Sequence, residues 1–141
     1  MVVTLLEAIQ YPPRRNWISL KTESPKWRDI KCAVTRLNRD EWPYVWLHTE
    51  PPPDDDMPNN MLCVMGGRGE YALTYYSDGD ETEYFDPSRK KDAELLRIWE
   101  SDQGSERFPR NLCNDLKLTH EIVKHFVKTG QLDDQHQWQT N

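Results

Sequence analysis

The chain has 141 residues, of which 36% are hydrophobic and 30% charged, and its formal net charge is −6. That length makes one ordinary domain, residues 1–141, with room for a real core, and six Trp and six Tyr supply the aromatic mass that argues against global disorder. The negative balance argues against non-specific binding to nucleic acid or to an anionic membrane as a main role.

Val2 to Ile9 reads as a first strand, stopped by Pro12-Pro13, and Asn16 to Lys21 as a second. Ser24-Pro25 announces a helix over about 25–38, with Ser24 as cap and Pro25 at the first helical position. Trp27, Ile30, Val34 and Leu37 then recur at helical spacing and form a core-facing stripe. In Tyr44 to Thr49 successive side chains take opposite faces, which predicts a strand beside the apolar run Met61 to Met65. Between them Glu50 to Asn60 carries four prolines and the acids Asp54, Asp55 and Asp56, and reads as an exposed acidic loop.

Gly66-Gly67-Arg68-Gly69 offers a hairpin turn into Tyr71–Tyr76, and Asp78-Gly79 a second turn into Glu81–Phe85. The central meander therefore covers about residues 43–86. Ala93 to Glu100 suits a helix or a strand, because its apolar positions satisfy both periods. A second helix is expected over about 119–129, capped by Thr119 and stopped at Thr129-Gly130, with Leu118, Ile122, Val123, Phe126 and Val127 on its apolar face. Gln135 to Gln139 adds a last short strand. The fold class is α+β, an antiparallel sheet with two packed helices.

Charge is concentrated rather than spread. Residues 40–86 hold twelve Asp and Glu against one base, Arg68, so the remainder carries the positive surplus. Such asymmetry fits an acidic face that meets a cationic partner. Chemistry is harder to find. Cys32, Cys63 and Cys113 are odd in number and far apart, and are expected to be free buried thiols in a reducing compartment. His120 and His125 diverge on a helix, no paired-Cys motif exists, and Asp78–Glu83 lacks a complete calcium loop, so neither metal nor cofactor is expected. The glycine run opens a strand rather than a phosphate-binding helix. No nucleophile–base pairing is visible, and nothing marks a buried carboxyl for acid–base work. MVVTLLEAIQ lacks the features of a signal peptide or membrane span, so a cytoplasmic protein is expected.

Two regions resemble the Imm-one family of bacterial immunity proteins. One is Gly66-Gly67-Arg68-Gly69-Glu70-Tyr71-Ala72-Leu73-Thr74-Tyr75 with Asp-Gly beyond it. The other runs from Phe108-Pro109 through Leu118, Ile122, Val123, Phe126 and Thr129-Gly130 to Trp138. The resemblance implies an antiparallel α+β fold and a non-catalytic inhibitor of a cognate toxin, often a nucleic-acid deaminase or nuclease. It also implies a strand over Ala93 to Glu100 and structural roles for Gly66, Gly69, Phe108, Pro109, Gly130 and Trp138. With the charge pattern, it leads to a protein that binds its toxin one to one as a monomer. Asp78, Asp80, Glu81 and Glu83 would plug a basic cleft, supported by Tyr76, Tyr84 and Asp54 to Asp56. A small enzyme and a non-inhibitory adaptor for a basic protein are the alternatives.

Overall fold

Seven segments with unlike faces pair into one antiparallel sheet: β1 (Leu5–Gln10), β2 (Ile18–Glu23), β3 (Tyr44–His48), β4 (Met61–Gly67), β5 (Glu70–Ser77), β6 (Asp80–Phe85) and, last in the chain, β9 (Gln137–Thr140). Their spatial order is β2-β1-β3-β4-β5-β6-β9. A computed structural model describes residues 1–50, 60–91, 93–100 and 104–140. Helices α1 (Trp27–Thr35) and α2 (Leu116–Thr129) cover one face of the sheet. A ribbon of β7 (Leu96–Trp99) and β8 (Ser105–Arg107) packs against the other.

The main core follows from alternation. Leu6, Ala8, Val45, Leu47, Leu62, Val64, Tyr71 and Leu73 turn to the helix side, where they meet Ile30 and Val34 of α1 and Ile122, Val123 and Phe126 of α2. Phe126 is fully buried and meets Tyr75 edge-on with ring centroids 5.7 Å apart. Each buried Leu, Val, Ile or Phe among them contributes about 1.5–3 kcal/mol.

Both helix starts differ from the expectation. The cap of α1 is Lys26, whose amide donates to Asp29 Oδ2 at 2.8 Å. Ser24 lies outside the helix at φ 48°, with its amide donating to the Thr4 carbonyl. Helix α2 begins three residues early because Asp115 is the cap, its Oδ1 accepting from the amides of Lys117 and Leu118 at 2.9 and 3.3 Å. Thr119 is instead buried in the first turn and donates its hydroxyl to the Asp115 carbonyl. A carboxylate accepts an amide hydrogen bond more strongly than a hydroxyl, so it takes the cap. Gly130, at φ 72°, closes the helix as expected.

The first hairpin turn is tighter than four residues. Arg68 and Gly69, at φ 53° and 87°, form a two-residue turn of primed type, and Gly66 and Gly67 belong to β4. Gly67 serves close approach: a Cβ there would overlap the Leu37 carbonyl at the exit of α1. Ala93 to Glu100 resolves as a strand over its second half, with Ile98 fully buried and Trp99 edge-on to Tyr11 and Tyr44, both at 5.4 Å. Its partner β8, Ser-Glu-Arg, carries no apolar alternation that sequence reasoning could detect.

Candidate functional site

The acidic hairpin is built from β5, the Asp78-Gly79 turn and β6. Asp78 and Gly79 take φ 52° and 83°, which gives a second primed two-residue turn. Asp78, Asp80 and Glu81 are exposed at and beside that turn. On the face away from the helices, Tyr76 stands opposite Glu81, and Thr74 opposite Glu83. Tyr76 is half-buried, and burial pushes its phenol up to about 12, with Cys63, Glu81 and Glu83 adding to the shift and Arg107 opposing it. It therefore stays a neutral hydroxyl beside the carboxylates at physiological pH, able to donate as well as accept.

The other expected site residues divide. Glu83 is half-buried and its Oε1 lies 3.3 Å from Arg107 Nε on the ribbon, so its charge is engaged within the fold. Tyr84 points to the opposite face, is 5% exposed, and meets Trp138 edge-on with centroids 5.9 Å apart. It is a core residue. Asp54, Asp55 and Asp56 lie outside the described residues. Among the positions with expected structural roles, Phe108 is not packed into the core. It is 54% exposed, whereas Pro109 beside it is buried.

The sheet also assembles a group that spacing did not show. Glu7 of β1, Ser19 of β2 and His48 of β3 come from three neighbouring strands. Ser19 Oγ donates to Glu7 Oε2 at 2.9 Å, and His48 Nε2 lies 3.0 Å from Glu7 Oε1. That second contact is close, although the His48 nitrogen falls outside strict hydrogen-bond geometry. The contact with His48 holds the Glu7 carboxyl below its ordinary range, against burial that raises it. The composition is that of a hydrolase triad but the order is not. The carboxylate sits between histidine and serine, so the imidazole cannot take the serine proton, and His48 is 3% exposed.

Cysteine chemistry is equally muted. Burial pushes the Cys63 thiol up to about 12 and raises Cys113 as well, which leaves both protonated. Cys32, expected to be buried, is exposed on α1. Among the described residues no three His, Cys, Asp or Glu side chains gather so as to hold a metal ion, and no helix is long and apolar enough to cross a membrane.

The sheet thus carries two helices on one face and the β7–β8 ribbon on the other. The family model described as Immunity protein Imm1 matches residues 21–140, and the chain belongs to that family. Membership implies a protein toxin as partner and suggests a non-enzyme. The fold is also similar to a solved one, the crystal structure of a hypothetical protein from Neisseria gonorrhoeae. That likeness has a TM-score of 0.60 at 13% identity, covering 92% of this chain and 90% of the other. No curated protein matches the chain.

Proposed function

We propose that this immunity protein neutralises a nucleic-acid-targeting toxin, a deaminase or nuclease, by seating the β5–β6 hairpin in the toxin's basic active-site cleft. The carrying observation is the exposure of Asp78, Asp80 and Glu81 on one tight turn beside the neutral, half-buried Tyr76. An enzyme that holds polyanions lines its cleft with Lys and Arg, and a rigid acidic hairpin competes for that lining while accelerating encounter. Asp80 and Glu81 supply the charge, and Tyr76 a flat anchor at low entropic cost. Glu83, paired with Arg107, holds the ribbon against the hairpin, and Tyr84 holds β6 to the core.

The test is the double variant Asp80→Lys/Glu81→Lys, measured against the toxin domain encoded beside this chain's gene. Association at low salt should slow by about tenfold or more, its salt dependence should flatten, and rescue of growth on toxin co-expression should weaken. An unchanged association rate in a correctly folded double variant would remove the hairpin from the interface.

A further inference from the structure

The positive charge missing from the middle of the chain lies mostly in its first part. Residues 1–39 hold eight Lys and Arg against three Asp and Glu, whereas residues 87–141 balance at nine against nine. The surplus of five therefore belongs to β1, β2, α1 and the segments that join them. Strand β2 is an outer edge of the sheet, and β5 lies four strands away. At about 4.8 Å per strand the cationic edge stands about 20 Å from the acidic hairpin.

That edge is unusual in its chemistry. Among the described residues β2 pairs only with β1, so its outward amides and carbonyls have no ladder partner. Trp17, Ile18 and Leu20 are 57%, 39% and 42% exposed along it. Ile18 and Leu20 share the helix-side face with Ala8 of β1. Between β2 and α1 runs a groove of about 370 Å³ with Leu6, Ala8 and Leu20 along the sheet and Ala33 along the helix. Arg28 and Arg36 also line it. Neither forms an ion pair among the described residues, and the Arg36 guanidinium stacks 3.6 Å above the Trp42 ring. The carboxylate in the groove, Asp29, accepts the Lys26 amide.

We infer that this edge is a second docking surface, which takes an extended, acid-bearing segment of a partner protein as an added strand beside β2. Backbone pairing supplies the attachment, and the side chains on the segment's groove-facing side supply both apolar groups for the floor and carboxylates that meet Arg28 and Arg36. Exposed edges are normally blunted because they template pairing, and here the unpaired backbone lies beside apolar floor and unneutralised cations. Charge decides the occupant. A second copy would bring two surfaces of the same sign together, while an acidic segment is attracted. The inference does not depend on the proposed role of the hairpin, since it concerns other residues and the opposite charge.

The full chain is titrated with a short synthetic valine–glutamate peptide, a repeat of valine-threonine-glutamate-threonine that sets valine and glutamate on one face of a strand, followed by hydrogen exchange and amide chemical shifts. Slowed exchange over Ile18–Glu23 and shifts along α1 are expected. Arg28→Glu should weaken binding about tenfold while Arg28→Lys preserves it, and Leu20→Asp, on an exposed position that lines the groove, should abolish it without loss of thermal stability. Equal protection by a valine–lysine peptide, no protection at all, a response only to oligothymidylate, or concentration-dependent pairing of β2 without peptide would each overturn the inference. The variant Asp80→Lys/Glu81→Lys should bind the valine–glutamate peptide as the parent does, so failure here and failure of the hairpin reading are separable.

Discussion

Removing the carboxylate of Glu70 should destabilise the protein more than any other single loss of charge on the sheet. Arg89 donates from Nη1 to Glu70 Oε2 at 2.8 Å and from Nη2 to Oε1 at 2.9 Å, a two-pronged pair with side chains only 19% and 16% exposed. Nη1 also reaches the Leu112 carbonyl at 3.2 Å, and Arg110 Nε donates to the Arg89 carbonyl at 2.8 Å. The pair thus ties the β4–β5 hairpin to the chain after β6 and to the segment that leads into α2. Breaking a buried pair by deleting one partner costs about 3–5 kcal/mol, because a charge is stranded. Partial access of water brings the expectation for Glu70→Gln to about 2–3 kcal/mol. Unfolding entropy of about 2.1 cal/mol/K per residue converts that into a fall in Tm of about 7–10 °C. Urea unfolding followed by circular dichroism measures it. Arg89→Leu in the Glu70→Gln background should cost less than the two single losses added, since no orphan charge remains. A Glu70→Gln cost under about 0.5 kcal/mol, or strict additivity, would refute the reasoning.

Two further outcomes are expected. Gly66→Ala should be more damaging than Gly69→Ala, because a Cβ at Gly66 overlaps the Glu70 carbonyl whereas one at Gly69 meets only open space. Gly69→Asn should recover most of the smaller loss, as asparagine tolerates the left-handed region, and thermal melts of the three variants rank them. Glu7, held below its ordinary 4.5 by His48, binds its proton less tightly folded than unfolded. The stability this confers is complete above about pH 4.5 and is lost as the pH falls through the folded value. Tm should therefore drop on acidification below that point, and Glu7→Gln should show a flatter Tm–pH profile over the same range. An equally steep profile in the variant would remove Glu7 as a source of the dependence.

The elements themselves were mostly legible. Asp78-Gly79 announces a primed turn because few other residues take positive φ cheaply, the glycines of Gly66 to Gly69 announce a turn without choosing the two residues that make it, and the stripe Trp27, Ile30, Val34, Leu37 announces α1 because a helix repeats every 3.6 residues. These are properties of neighbours along the chain. The helix N-caps were misplaced by two and four residues, since Ser24 and Thr119 have capping chemistry but the backbone enters the helices at Lys26 and Asp115.

What the amino-acid order determined alone was the α+β character, the pairing of β3 with β4, and the gathering of acids on a meander, all consequences of local period and composition. Tertiary structure decided the rest. It placed Tyr84 in the core while Tyr76 faces the carboxylates, engaged Glu83 with Arg107, exposed Phe108, and drew Glu7, Ser19 and His48 together. Strand register and ribbon docking depend on contacts between residues tens of positions apart. No window along the chain contains both members of such a pair, so which carboxylate meets a base and which meets solvent emerges only when the sheet closes.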